Sequence, residues 1–142
     1  VEGIAGGHVP RVEKNTAPQI FRAVHTAIRR GLIQSCHALS EGGLAVAAAE
    51  MAFAGRVGAR LQLDAMVARD LAHLPQGIQA GVALFAESCT RFVIEVASEH
   101  ASEVTELFGN LPLAEIGRTT SDQQFHVELR VMQALACNCH RV

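Results

Sequence analysis

Between His37 and Gly55 the chain passes abruptly from a polar, glycine-rich turn into an apolar run. The turn is His37-Ala38-Leu39-Ser40-Glu41-Gly42-Gly43, and from Leu44 to Ala54 the only charged residue is Glu50. Alanine is the strongest helix former, and Leu44, Val46, Met51 and Phe53 spread apolar side chains around the whole circumference, so the run predicts a helix buried between a sheet and another layer. Ser40 is the natural N-cap of that helix. The amides of Gly42 and Gly43 then fall in its first turn, where no intrahelical acceptor exists. Without a Cβ on either glycine a phosphate can approach the backbone closely, and the helix dipole adds about half a positive charge at that end. Ser-Glu-Gly-Gly before a helix is equally an ordinary tight turn.

A chain of 142 residues is of single-domain size, and 49% hydrophobic against 18% charged residues is a globular composition rather than a disordered one. Six Phe with no Trp or Tyr leave a core of Ala, Val, Leu and Ile and little provision for stacking on bases. A net charge of −2 removes the electrostatic argument for nucleic-acid binding. The densest positive spot, Arg29-Arg30, lies near the end of a predicted helix, where cations suit the dipole. No run of 18 apolar residues and no signal-peptide pattern is present, so the sequence predicts a cytoplasmic protein without a membrane partner.

The four cysteines, Cys36, Cys89, Cys137 and Cys139, have no disulfide-scaffold rhythm and are expected as reduced thiols. Cys137-Asn138-Cys139-His140 packs three soft ligands into four residues but lacks the second pair of a structural zinc site. An unstructured tail at 136–142 and no metal are expected. His8, His25, His73, His100, His126 and His140 have no mutual spacing suggestive of a metal site either.

In chain order, residues 1–16 read as a loop or linker remnant and 17–135 as the domain. Thr16 and Pro18 open a helix with Ile20, Phe21, Val24, Ile28 and Leu32 as its apolar stripe, and Gly31 stops it. A short strand over Leu32–Cys36 leads to the glycine turn. After the buried helix, Val57–Asp64 alternates as a half-buried strand with Ala59, Leu61 and Leu63 inward. A short helix is expected over Val67–Leu74, broken by Pro75 and Gly77, then a helical turn over Gly81–Ala86. A strand at Arg91–Val96, a helix capped by Ser98 and running to Phe108, and strands at Leu113–Thr119 and Phe125–Leu129 complete the order. Helices and strands mixed without strict alternation predict an α+β fold with a largely antiparallel sheet covered by helices.

Three blocks carry a resemblance. Gly31-Leu32-Ile33 through Gly55 follows the pattern G-L-V, a gap, then H-D-x-S-D/E-G-G-L-A-V-A-x-x-E-M. Leu84-Phe85-Ala86-Glu87-Ser88-Cys89-Thr90-Arg91-Phe92-Val93 follows L-F-S-E-S-P-S-R-F-V, and Pro112 to Gly117 follows P-x-x-x-I-G. In this order and spacing they resemble the C-terminal domain of the AIR-synthase-related superfamily, most closely that of the phosphoribosylformylglycinamidine synthases. The resemblance implies a PurM C-terminal-like domain of a ligase of purine biosynthesis. That family amidates formylglycinamide ribonucleotide, using ATP to activate the formamide oxygen and ammonia from glutamine to displace the phosphate. ATP and magnesium belong largely to an N-terminal ATP-binding domain, so this domain alone is expected to be non-catalytic and without a cofactor. The implied partners are that domain, a glutaminase subunit or domain, and the phosphorylated ribonucleotide.

By motif position, Ser40, Gly42 and Gly43 would hold the substrate phosphate, with Glu41 at the family's Asp/Glu position. His37 would face the cleft, or else be a structural histidine hydrogen-bonded at a strand end. Glu87, Ser88 and Arg91 form the second polar group: Arg91 either clamps a carboxylate or phosphate or pairs internally with Glu87. Ala38 replaces the family's Asp, Cys89 its Pro and Ala86 its Ser. These departures leave a second functional reading, a free-standing non-catalytic anion-binding or assembly module of the same fold.

Overall fold

A computed structural model describes residues 10–128. The 136–142 tail with Cys137, Cys139 and His140, the end of the last strand at Leu129, and most of the 1–16 segment lie outside the described residues. The elements are α1 (Ala17–Arg29), β1 (Ile33–Ala38), α2 (Gly43–Gly55), β2 (Gly58–Gln62), α3 (Asp64–Met66, continued by a π-helical turn at Val67–Leu71), α4 (Gln76–Phe85), β3 (Phe92–Val96), α5 (Ala101–Phe108, entered through a 3-10 turn at Ser98–His100), β4 (Gly117–Thr120) and β5 (Phe125–Glu128). The fold is α+β. In place of one largely antiparallel sheet there are two: β1 and β3 pair antiparallel, and β2 sits between β4, antiparallel to it, and β5, parallel to it.

β3 stands between two hydrophobic clusters because successive strand residues point to opposite faces. Phe92, Ile94 and Val96 pack against a cluster of Ala23, Val24, Ala27, Leu32, Val104 and Phe108, formed with α1 and α5. Val93 packs against the other cluster, which holds Leu39, Leu44, Ala47, Ala48, Leu61, Leu63, Met66, Val67 and Ala83. The expected strand over Leu113–Thr119 begins only at Gly117. Leu113 packs on the first cluster and Ile116 on the second, so the intervening chain crosses from one core to the other rather than running along a sheet edge. The Ile116 carbonyl still accepts from the Gln62 amide at 2.7 Å.

Several local expectations shift. α1 ends as anticipated at Gly31, in the left-handed region at φ +70°, with the Leu32 amide bonded back to the Ala27 carbonyl. Its buried face, however, is Ala17, Ala23, Val24 and Ala27. Phe21 and Ile28 are half exposed, Phe21 meeting the edge of Phe92 at a ring-centroid distance of 5.8 Å. α2 is buried on one side only: Leu44, Ala47, Ala48 and Ala52 face the core, while Val46 and Phe53 point outward, Phe53 being 71% exposed. The small alanines let the helix sit close on the core, and the bulkier pair is left on the far side.

Ser40 does not cap α2; Gly42 occupies the N-cap position. Pro75 starts α4 rather than breaking a helix, since a proline just ahead of a first turn forfeits no helical hydrogen bond, and Gly77 lies inside that helix. Ser98 makes no side-chain cap either; the entry to α5 is closed by the His100 amide on the Ala97 carbonyl. Arg29 sits in the last turn of α1 and Arg30 pairs with Glu103 across the α1–α5 contact. Among the described residues Cys36 and Cys89 are free thiols, and no helix is long and apolar enough to cross a membrane.

Two predictions follow from this packing. A Cβ at Gly43 would stand 2.7 Å from the Leu84 carbonyl oxygen on a backbone at φ +62°, whereas one at Gly81 meets nothing within 4 Å. Urea unfolding is expected to show Gly43→Ala losing roughly 2–4 kcal/mol from left-handed strain and overpacking. Gly81→Ala in the open face of α4 is expected to gain up to about 1 kcal/mol.

The second concerns acid stability. Arg69 grips Asp70 through two bonds of 2.7 Å and also donates to the Leu113 carbonyl. The Arg69 hydrogen bond and charge, with the Arg91 charge, hold the Asp70 carboxyl below its ordinary 3.8. The folded state therefore binds its proton more weakly than the unfolded chain does. The resulting stabilisation is complete above the unfolded value and disappears as pH falls below 3.8 through the depressed folded value. Both side chains are nearly half exposed, so the contribution is expected to stay below about 1 kcal/mol. Asp70→Asn should lower stability at pH 6 by that amount and by progressively less as pH falls below 3.8, as read by denaturant midpoints.

Candidate functional site

The two polar stretches that the sequence singles out, 45 residues apart, meet at the N-terminus of α2. β1 delivers the chain to Leu39, which is buried in the core and donates its amide to the Arg91 carbonyl at 2.9 Å. The turn then closes with the Gly43 amide on the Ser40 carbonyl at 3.0 Å. Gly42 and Gly43 are both left-handed, at φ +79° and +62°, which is why glycine suits both positions. A Cβ on Gly42 would overlap the Val46 side chain, and Gly43 lies against the backbone of Leu84 and Phe85 at the end of α4. The close approach that the glycines permit is thus, in the first place, an approach of α4 to α2.

That approach sets residues 86–91 beside the turn. The Gly42 amide donates to Glu87 Oε1 at 2.9 Å, so a carboxylate of the chain itself lies on one of the expected anion donors. Leu44, which is buried, and Ala45, which is half-buried, come next along the first turn of α2, where amides likewise have no intrahelical acceptor. Ser40, Glu41 and Ser88 are exposed in the two stretches.

Arg91 does not pair with Glu87. It turns the other way, donating from Nη1 to the Ala86 carbonyl at 3.1 Å and bringing Nη2 to 4.0 Å from Met66 Sδ. Burial pulls its guanidinium below the ordinary arginine range, while Asp70 pulls the other way. The basic group of the site is therefore tucked beneath the loop, and the carboxylate is the group on the turn.

His37 lies on β1, and its ring is fully engaged. Nε2 is 2.9 Å from Glu50 Oε2 and Nδ1 is 2.6 Å from the Ala38 carbonyl oxygen. Glu50 is seven residues along α2 from Gly43, about 10 Å by helical rise, so this pairing is made well up the helix rather than at the turn. The geometry agrees with a histidine hydrogen-bonded at a strand end. No group of three or more potential metal ligands occurs among the described residues.

Sequence reasoning missed Thr90. It is a β-branched residue at φ +61°, a conformation that is strained for such side chains, and its Oγ1 is buried without a hydrogen-bond partner among the described residues. The strain sits between Ser88 and Arg91, in the loop that carries Glu87. Nothing in the residue types of that loop signals it, because Thr is not a residue chosen for positive φ.

Comparison with known proteins agrees with these blocks. Residues 1–130 match the family described as AIR synthase related protein, C-terminal domain. The chain is 36% identical over 121 residues to the phosphoribosylformylglycinamidine synthase subunit PurL of Deinococcus radiodurans, covering 84% of this chain and 15% of that protein. It is 31% identical over 125 residues to the same subunit of Alkaliphilus metalliredigens, covering 87% and 15%. The chain thus spans about 15% of the length of these curated relatives. Among solved structures, Thermotoga maritima PurL complexed with FGAR superposes with a TM-score of 0.72 at 18% identity, covering 86% of this chain and 20% of that one. The same enzyme complexed with ATP gives 0.63 at 22% identity, covering 79% and 19%. With the family model spanning nearly the whole chain and the fold superposing on that of its solved relatives, this chain belongs to the AIR synthase related proteins, as a C-terminal domain of that family.

Proposed function

We propose that this chain is the substrate-phosphate-binding domain of a phosphoribosylformylglycinamidine synthase, an ATP-dependent carbon–nitrogen ligase of cytoplasmic purine biosynthesis. The observation that carries the reading is the meeting of the Ser40–Gly43 turn with the Glu87–Ser88 loop at the first turn of a 13-residue helix. Amides at a helix N-terminus favour an anion through both their hydrogens and the dipole. Ser40 and Ser88, exposed in the two stretches, are the hydroxyls available to join them. Under this reading the chemistry is completed by an N-terminal domain that holds ATP and magnesium, with ammonia delivered from a glutaminase subunit or domain. The domain alone binds and orients the ribonucleotide without turning it over.

The surface supports a partner domain. Val46 and Phe53 on α2, and Ile78 and Phe85 on α4, are exposed, and α4 contains no charged residue at all. Apolar helix faces of this kind suit burial against another domain. The same faces favour the second reading, a module that assembles with other copies or partners and has no reaction of its own.

Thermal unfolding of the chain titrated with formylglycinamide ribonucleotide, ribose 5-phosphate and inorganic phosphate tests the reading. A ligand at 100 times its dissociation constant stabilises by about 2.7 kcal/mol, a shift of several degrees in a domain of this size. Ser40 is exposed, so Ser40→Asp should fold normally while placing a negative charge beside the turn. The expected result is an upward shift with the ribonucleotide that Ser40→Asp abolishes. An equal shift in both proteins would move the site away from the turn, and no shift with any phosphate compound would favour the assembly module.

A further inference from the structure

We infer that Glu87 is a built-in competitor for the turn: its carboxylate holds the place on the Gly42 amide that a ligand phosphate takes, and it leaves when the ligand binds. This rests on the reading of the turn as a phosphate site and specifies how that site is regulated.

Three observations carry it. The bond from the Gly42 amide to Glu87 Oε1, at 2.9 Å, has the length and charge type of an amide–anion contact at a helix N-terminus. The loop does not need this bond to stay in place. Leu39 donates to the Arg91 carbonyl at 2.9 Å, the Ala86 amide to the Val82 carbonyl at 3.0 Å, and Arg91 Nη1 to the Ala86 carbonyl at 3.1 Å. The seating of Gly43 on the end of α4 adds a fourth tie. Finally, Glu87 is exposed and forms no ion pair among the described residues, since Arg91 is engaged beneath the loop. Its carboxylate can rotate into water at little cost.

A carboxylate and a phosphate cannot share one amide donor without strong repulsion between like charges. The displacement therefore exchanges one anion for another on the same donor. The Leu44 and Ala45 amides and the hydroxyls of Ser40 and Ser88 are what the phosphate gains over the carboxylate. Glu41, the other exposed acid of the turn, adds to the repulsion whichever anion is bound.

The competing account is that Glu87 is a latch that shapes the site. The two differ in sign. In the 142-residue chain labelled with 15N, the Gly42, Leu44 and Ala45 amide signals are followed during titration with inorganic phosphate and with formylglycinamide ribonucleotide. Glu87→Gln and Glu87→Ala are compared with the unmodified protein, and urea midpoints establish that each variant is folded. Competition predicts that both variants bind phosphate about five-fold more tightly, the scale of removing one like charge or one dipole contact near the surface. Unchanged or weaker binding in folded variants overturns the competitor role and leaves the site reading intact. If phosphate and ribonucleotide perturb none of these amides in any of the three proteins, the site reading fails and the inference falls with it. Should Glu87→Ala unfold, Glu87→Gln, which keeps the shape and an acceptor oxygen, decides the matter alone.

Discussion

The contact on which the arrangement depends is backbone against backbone: the end of α4 lies so close to Gly43 that a Cβ would stand 2.7 Å from the Leu84 carbonyl oxygen. It fixes where α4 ends relative to where α2 begins, and therefore where residues 86–91 enter β3. The polar contacts between the turn and the 86–91 loop are downstream of it. The Gly42–Glu87 bond forms because the loop leaves α4 at that point, and the Leu39–Arg91 bond closes the same loop against the end of β1. A larger side chain at position 43 would separate the two helices and with them the two halves of the site.

β3 transmits this placement to the rest of the molecule. With Phe92, Ile94 and Val96 on one face and Val93 on the other, it is the wall shared by two apolar clusters. Glu95 is accommodated on the Val93 face by a hydrogen bond from Ser35 Oγ at 2.8 Å. Leu113 serves one cluster and Ile116 the other, and pairing with β2 begins only at Gly117.

Much of this was legible in the sequence because it depends on periodicity and on residues with few alternatives. The alternation of Ala59, Leu61 and Leu63 marked β2 and its inward face, the run from Phe92 to Val96 marked β3, and Gly31 marked the stop of α1 at a left-handed residue. The three motif blocks identified the family. What was not legible is how polar groups choose among partners once the chain is folded. Arg91 lies four residues from Glu87, yet the two point to opposite sides of the loop because Met66 and the Ala86 carbonyl offer Arg91 a half-buried niche. Ser40 has the composition of a cap, but it is the Ser40 carbonyl that closes the turn. The outward placement of Val46 and Phe53 likewise depends on which face the small alanines present to the core, and no property of α2 in isolation fixes that.

The glycines of the turn show why a motif shared with a family does not by itself separate structure from function. Gly43 is required by the packing of α4 and Gly42 by its left-handed backbone and the adjacent Val46 side chain, with or without a ligand. Their presence in the motif is therefore no measure of phosphate binding. What would bear on binding is the balance of charge around the turn. There the chain places two exposed carboxylates, Glu41 and Glu87, and withholds Arg91, whose desolvation makes its charge costly to keep buried. A phosphate approaching such a turn gains most from backbone dipoles and hydroxyls and least from side-chain cations. If the turn takes a phosphate as proposed, the affinity turns on whether the carboxylate already on the Gly42 amide stays or leaves.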